Sequence, residues 1–581
     1  MNHSPRRLIA VILSVLVFAP HAGAQTNMRD EFFWLGQINK ATAVINTEEG
    51  LLDKSDAQLA YRGISKVLAD GALPGGKRPN LVITFEPLLI DAVGPQITLL
   101  HAGRSSQDML ATVRSAIMRD NLLDLASALN KTTVTMVRLA EKHRATIVPN
   151  YTNGVAAQPN SYGHYLLGFA SGLDRDAQRI REAYARVDRS PMGTTVLNGT
   201  SWPLDRKRMA GYLGYATTVD NAYDAAQISA VDLPVEVGAV VGGIALHAGA
   251  YVEDVMTQYA QARPWILLLE GGGNTYVSSA MPQKRNPGLL NSTRRDATQA
   301  LTLGFGAALQ AHNLPPGMQD AKEVGNNTAM VVAATVVLNN WSRILDNLVI
   351  NPERALEELN SDWTASQELA DVLMRKYRLP FRVGHHFASE VVEFAKAKDI
   401  KPLEFPYVEA QRIYSETVKG SDFAPTLPMS EEEFRATLSP IAIVKNRATA
   451  GGPQPVEMGP SQRAELIDWV SSRIGRKVAI PDLTSSGYNF MGGRLVMTAH
   501  GPAGLFMYDD ASGTRLALTV RPMEVEKDTP VMQPFQGKGP IAGYAWADQG
   551  LGYGVVGARR AEVLHPLADE MRRQIGASTR G

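Results

Sequence analysis

The chain has 581 residues, is 45% hydrophobic and 20% charged, and sets 58 Lys+Arg against 58 Asp+Glu, a net charge of zero. That length is too great for one core, and the balance of charge gives no reason to seek nucleic acid or an anionic membrane as partner. With no cysteine, disulfides, thiolate metal sites and a cysteine nucleophile are excluded.

Residues 1–24 read as a secretory signal peptide. Arg6 and Arg7 form the basic start, residues 8–19 an apolar stretch short for a bilayer, and Ala22-Gly23-Ala24 the cleavage motif. The mature chain is expected to begin at Gln25 in the periplasm or outside the cell, with no membrane attachment after cleavage. No later segment reads as a membrane span.

Residues 28 to about 115 are mixed helix and loop, broken at Leu73-Pro74-Gly75-Gly76. His101-Ala102-Gly103-Arg104-Ser105-Ser106-Gln107-Asp108 is a polar turn entering a helix, whose free N–H groups suit a carboxylate. From about 116 to 147 the periodicity is helical, with Ile117, Leu122, Leu125, Leu129 and Met136 near one face. His143 and Arg144 fall in its last turn, where cations complement the dipole.

Val148-Pro149-Asn150-Tyr151-Thr152-Asn153-Gly154 through Gln158-Pro159 follows, and then His164, read as a hydrogen-bonded structural residue. Residues 190–206 are rich in Gly, Ser and Thr. Helix returns over 208–265, with Ile244, Leu246, Val252, Val255 and Met256 as core candidates. Gly238, Gly242, Gly243 and Gly249 there would let helices approach closely. Residues 288–311 and 328–350 are long helical segments, and 363–475 a further helical region.

After 475 the pattern alternates polar and apolar, as at 494–497, 505–508 and 515–520, and a helix over 561–575 closes the chain. No catalytic constellation is visible there; Phe506, Tyr544, Trp546 and Tyr553 are read as core.

One stretch organises the rest: Val277-Ser278-Ser279-Ala280-Met281-Pro282-Gln283-Lys284-Arg285-Asn286-Pro287, preceded by Gly271-Gly272-Gly273. A short polar segment between helices, holding two hydroxyls, a lysine and an amide, suits an activated serine facing a carboxylate-bearing substrate. It resembles the G-S-S-x-M-P-x-K-x-N-P signature of the fumarase/aspartase superfamily, most closely in the form found in argininosuccinate lyases, with Val277 replacing the family glycine.

The resemblance extends over about residues 28–475. It includes Gly103, Arg104, Ser105 and Asp108 of a family H-T-G-R-S-R-N-D-Q stretch, and Tyr151, Thr152, Ala157, Gln158 and Pro159 of M-P-G-Y-T-H-L-Q-x-A-Q-P. Residues 190–206 resemble a family segment too. Gln319 and Lys322 match L-Q-E-D-K-E, and Gly451-Gly452-Pro453 with Val456 resemble the closing G-G-T-A-P-x-x-V.

Several implications follow from the resemblance. The fold is mainly α, a fumarase/aspartase-type three-domain lyase with a central long-helix bundle. Its parts are an N-terminal domain at 25–115, the bundle at 116–362 and a C-terminal helical domain at 363–475. A small α+β domain at 476–581 adds to these and resembles the C-terminal domain of bacterial anti-sigma factors, by G-Y-x-x-x-G-G-R-L and G-Y-x-W-x-D-x-G-L-G-Y.

The implied activity is carbon–nitrogen lysis, a β-elimination of an amine from an N-substituted aspartate giving fumarate, with no cofactor and no metal. Ser278 is the implied base, with Ser279 beside it; Lys284 and Asn286 stabilise the carbanion. Ser105, Ser106, Gln107, Thr152, Asn153, Gln158, Gln319 and Lys322 line the substrate. The family assembles such sites from three subunits of a homotetramer.

The departures are specific. The family's histidine and its supporting glutamate are Asn153 and Asn291; its second arginine and asparagine at the first stretch are Ser106 and Gln107; a tyrosine is Leu314. An amine that already carries its proton needs less acid help than a guanidine. A rival reading is a non-catalytic periplasmic binding or sensing protein on a lyase scaffold. Retention of Ser278, Lys284 and Asn286 speaks against it. An adenylosuccinate lyase is disfavoured by the Gln-Lys-x-Asn-Pro match.

Overall fold

The computed structural model describes residues 29–318, 324–451, 458–498, 501–523, 528–529, 531–537 and 541–579. The expected signal peptide, Gln319, Lys322 and the 452–456 part of the closing motif lie outside them. The chain divides into two units, up to Ile441 and from Ala442.

The first unit opens with three helices, α1 (Glu31–Glu48), α2 (Lys54–Ala72) and α3 (Val82–Val93). Asp30 and Asp53 cap the first two by accepting backbone N–H bonds. Helix α4 then runs unbroken from Ser106 to Lys142. It starts about ten residues before the periodicity alone placed it, because Ser105 and Asp108 form a reciprocal capping box. His143 is its C-cap, and burial, then Lys142, lower its pKa.

The expected faces hold. Ile117, Leu122, Leu125, Leu129 and Met136 are all buried. The N-terminal core takes in Met109, Val113 and Ile117, while the next buried apolar residue, Met118, joins the bundle core. The expected break at 115/116 is thus a change of core within one continuous helix.

The bundle adds α5 (Tyr162–Val187), the short α6 (Arg206–Tyr212), α7 (Ser229–Tyr259), α8 (Gly288–Ala311) and α9 (Val324–Asp346). A π-helical turn, Asp224–Ile228, leads into α7. Cross-helix pairs fix the directions. α4 and α9 run parallel, by Asn121–Thr328 and Thr135–Ser342. α5 and α7 run antiparallel, by Tyr165–Asp254 and Arg186–Glu236. α8 opposes α7, by Arg294–Glu253 and Gly304–Gly238, and α9, by Asp296–Asn340 and Gln310–Asn326.

Asp224–Tyr259 and Gly325–Asp346 are long and apolar enough to cross a membrane by composition, which the sequence reading had not registered. Both contribute to the bundle core through residues such as Val241, Ile244, Val337 and Trp341. Yet Leu246, Phe305, Leu309, Val332 and Val336 lie exposed on the bundle helices of this single chain. Leu246 is thus not the core residue expected.

A further helical layer spans Trp363 to Leu438 around its own core of Leu369, Phe387, Phe405 and Phe434.

In the second unit, helix Arg463–Ile474 contributes Leu466, Val470 and Ile474 to the same core as Phe506, Trp546 and Tyr553. The expected boundary at 475/476 therefore cuts through this unit. Among its described residues an antiparallel sheet runs in the order Gln533–Gln536, Ala542–Asp548, Leu551–Gly557, Arg515–Pro522, Gly501–Asp510, Tyr488–Thr498. Helix Ala561–Thr579 packs on it through Leu564, Ala568 and Met571. The four aromatic residues read as core are all buried.

Candidate active site

The signature stretch is a small hairpin with an anchored base and an exposed tip. Gly271, Gly272 and Gly273 all take positive φ, 81, 58 and 76°, a path that side-chain-bearing residues resist. They deliver Asn274, which is buried. Its Nδ2 donates to the Leu269 carbonyl and to Asn347 Oδ1, and its carbonyl accepts from Leu289 N–H at 2.9 Å. Tyr276 pairs with Asn286 and Val277 with Arg285 in antiparallel register.

At the tip, Ser278 Oγ accepts from the backbone N–H of Met281 at 3.2 Å and of Ala280 at 3.4 Å. Two N–H groups aimed at one hydroxyl oxygen favour its negatively charged form. Ser279 and Lys284 are exposed. Asn286 Nδ2 donates to the Tyr276 carbonyl at 3.3 Å.

Arg285, the variable position of the motif, braces the tip. Its Nε donates to Glu270 at 2.9 Å and its Nη1 to the Pro282 carbonyl at 2.7 Å. The sequence reading missed both Asn274 and Arg285. The signal for Asn274 was its place directly after three glycines.

The second stretch is also a hairpin. Strands Ile147–Thr152 and Val155–Ser161 pair with Thr152 opposite Val155. Asn153 and Gly154, φ 52 and 78°, make the two-residue turn. Asn-Gly with both φ positive is the type I′ arrangement that matches strand twist. Thr152 and Asn153 are therefore exposed at a tip. Asparagine at 153 has a conformational reason, since it is among the residues that tolerate this left-handed φ.

Gln158 Nε2 donates to Gln367 Oε1 at 3.1 Å, tying this hairpin to helix Gln367–Tyr377. His164 contributes its backbone N–H to Ser161 Oγ, while its ring is exposed, so it is not the hydrogen-bonded side chain expected.

The first stretch caps α4. Ser105 Oγ accepts from Gln107 N–H at 3.1 Å, and Ser105 N–H donates to Asp108 at 2.8 Å; Ser106 and Gln107 are the first helical residues. Asp108 is fully buried and its other oxygen accepts from Gly193 and Thr195 N–H at 2.9 and 3.1 Å. Burial nonetheless pushes its pKa up to about 6, against those N–H bonds and Arg104. Burial also lowers Arg104 to about 10. Gly103 takes φ 71°, which side-chain-bearing residues resist, and a Cβ there, 2.1 Å from Leu204 Cδ1, would force that side chain to shift.

The helix directions decide which stretches can meet. The 147–161 hairpin follows the C-terminus of α4, and the signature hairpin immediately precedes α8, whose N-terminus lies beside the C-terminus of α7. Both hairpins therefore sit at one end of the bundle. Ser105 sits at the other, a helix of 37 residues away, roughly 55 Å at about 1.5 Å per residue. Leu314 also lies at that far end, between α8 and α9. Asn291 is in the first turn of α8 and half-buried. Among the described residues, no hydrogen bond joins Ser278, Lys284 or Asn286 to Thr152, Asn153 or Gln158. No cluster of His, Asp or Glu suited to a metal occurs among them either.

Residues 89–301 match the lyase family model, and 363–445 match that of the argininosuccinate lyase C-terminal region. Similar curated proteins include the argininosuccinate lyase of Methanosarcina acetivorans, 27% identical over 427 residues, 72% of this chain and 84% of that protein. That of Anoxybacillus flavithermus is 28% identical over 418 residues, 70% and 86%.

Among solved structures, EDDS lyase in complex with formate superposes with a TM-score of 0.64 at 24% identity, covering 72% of this chain and 82% of that one. A class II fumarase from Schistosoma mansoni gives 0.56 at 16%, covering 71% and 90%.

Proposed function

We propose that this chain, a member of the fumarase/aspartase superfamily of lyases, eliminates an amine from an N-substituted aspartate and releases fumarate. The observation that carries this reading is the environment of Ser278, whose Oγ accepts two backbone N–H bonds at an exposed tip with Lys284 and Asn286 on the same hairpin. The serine alkoxide takes a proton from Cβ of the succinyl group. The electron pair passes through the carboxylate-stabilised carbanion into the new C=C bond. The C–N bond breaks and the amine leaves from Cα. Lys284 and Asn286 stabilise the carbanion charge. Ser105 and Thr152 hold the carboxylates, Asn153 and Gln158 also line the substrate, and Ser106, Gln107, Gln319 and Lys322 lie toward the amine.

The leaving group in this reading is an alkylamine. A dialkylammonium substrate departs as neutral amine without needing the acid that Asn153 and Asn291 no longer supply. A variant of EDDS lyase, one of the similar solved structures, carries bound fumarate, and fumarate is the product proposed here.

The working form is a homotetramer with sites shared between subunits. Support comes from the separation of Ser105 from Thr152 along α4, and from the exposed apolar side chains of α7, α8 and α9. Export through the 1–24 leader, with Gln25 as mature N-terminus in the periplasm, belongs to the same reading; N-terminal sequencing of the secreted protein tests it.

The deciding experiment follows fumarate absorbance with mature protein against N-alkyl aspartates and argininosuccinate. Turnover of at least one supports the reading. Failure of all of them transfers it to a binding protein on a lyase scaffold.

A further inference from the structure

Beneath the 147–161 hairpin lies a cavity of about 110 Å³ lined by Tyr151, Tyr162, Tyr165, Trp265, Asp254 and Gln258, with backbone-proximal residues of the first strand closing it. It is separate from the exposed Thr152–Asn153 tip, because Tyr151 faces inward. Tyr151 hydroxyl donates to Glu358, and it accepts from Trp265 Nε1 at 3.2 Å.

The aromatic walls are fixed. Tyr162 stacks on Tyr165 with centroids 5.5 Å apart and planes 13° apart, and meets Trp265 edge-on at 5.8 Å.

The charged and orphaned groups of this cavity are acceptors. Its donors Tyr151, Tyr165 and Trp265 are engaged, with Glu358, with Asp254 at 2.5 Å and with Tyr151 respectively, and Tyr162 and Tyr251 share a bond at 3.2 Å in which either can donate. Acceptors are left over. Gln258 is only 3% exposed, and its Oε1 has no hydrogen-bond partner. Asp254 is exposed at the mouth, with one oxygen engaged by Tyr165. No lysine, arginine or histidine lines the space. The nearby His143 ring, edge-on to Tyr162 at 5.9 Å, is held toward its neutral form by burial.

A space with π faces, a carboxylate, an orphan carbonyl oxygen and no cationic side chain in its lining is complementary to an N–H-bearing cation. The geometry points to a binding site for one small organic ammonium ion per chain. Its N–H groups would bond Gln258 Oε1 and Asp254, and its carbon would lie against Tyr162 and Trp265. None of residues 277–287 lines the site, and Tyr151, which does, neighbours Thr152 of the proposed substrate site but faces the other way; the inference does not rest on the lyase reading.

Ethylammonium chloride titrated calorimetrically into the full mature protein tests this, with ethanol and matched sodium chloride as controls. One saturable event per chain is expected for ethylammonium and none for either control. Asp254→Asn and Gln258→Met should each weaken it by roughly tenfold or more, the loss of one charge-assisted hydrogen bond. Asp254 lies at the surface, so its variant keeps the test open if the buried Gln258 variant does not fold. Absence of saturable ethylammonium uptake would mean that water alone fills the cavity and would overturn the proposal. So would equal binding of ethanol, or affinity unchanged in Asp254→Asn.

Discussion

Gly238 of α7 and Gly304 of α8 meet backbone to backbone: a Cβ built on either would lie 2.4 or 2.5 Å from the other's carbonyl oxygen. Main chain cannot swing aside as a side chain does, so this crossing sets the spacing of the two helices. Of the other glycines expected to bring helices together, Gly242 meets Leu301 at ordinary contact distance and Gly249 has open space around it.

Gly238→Ala should therefore lower stability by about 1–3 kcal/mol, the usual cost of overpacking. Denaturant unfolding of wild type and variant measures it. Gly304→Ala should cost a similar amount, and the two together less than the sum, since either one already opens the crossing.

Ser278→Ala should reduce kcat by roughly 100- to 10,000-fold with KM little changed. Ser279→Ala, whose hydroxyl is exposed beside it, should stay within about tenfold of wild type. Steady-state kinetics on the best aspartate adduct separates the two. A dead Ser279 variant with an active Ser278 variant would move the base by one residue.

Asn153→His with Asn291→Glu should shift the ratio of specificity constants toward argininosuccinate. Histidine is among the residues that tolerate the left-handed φ found at 153, so the hairpin should survive the change. A wild type that already prefers argininosuccinate, with an alkaline limb set by an enzyme group, would contradict the account of the leaving group.

Asp108 predicts a pH dependence of stability. Its folded pKa, about 6, lies above the ordinary 3.8. A carboxyl shifted in that direction contributes stability that is complete below pH 3.8 and is lost as pH rises through 6. The span corresponds to an order of about 3 kcal/mol. Urea unfolding at pH 4.5 and pH 7 should show this slope in wild type and not in Asp108→Asn. The same slope in both would assign it to other carboxyls.

Phe305→Glu with Leu309→Glu, one turn apart on the exposed side of α8, should give a monomer without lyase activity. Light scattering coupled to activity checks it. An active monomer would mean that one chain completes the site.

Much of this architecture was legible in the sequence, for reasons that also mark where legibility ends. The apolar spacing of Leu122, Leu125, Leu129 and Met136 announced α4, and alternation announced the strands around Phe506 and Leu518, because both patterns record local geometry. Helix Arg463–Ile474 was assigned to the wrong unit because an amphipathic stripe says that a helix buries one face, not against what. Leu246 was read as core on apolarity alone, but the side of a bundle helix that one chain leaves bare carries the same signal. At 153 and 154 the Asn-Gly pair is itself the signal of the turn, because both residues accept the positive φ that it requires. The cavity at Gln258 was not legible at all, since it depends on residues more than a hundred positions apart.

That turn also bears on how the molecule ages. Asparagine followed by glycine is the pair whose side-chain amide is most easily attacked by the next backbone nitrogen, and here it stands exposed at a hairpin tip. Ring closure and hydrolysis would replace the neutral amide of Asn153 by a carboxylate beside Thr152, where the proposed substrate presents its own negative charge. Activity would then decline with the time since synthesis, at a rate set by the stiffness of a two-residue turn. Peptide mapping of stored protein against residual activity would show whether the two fall together.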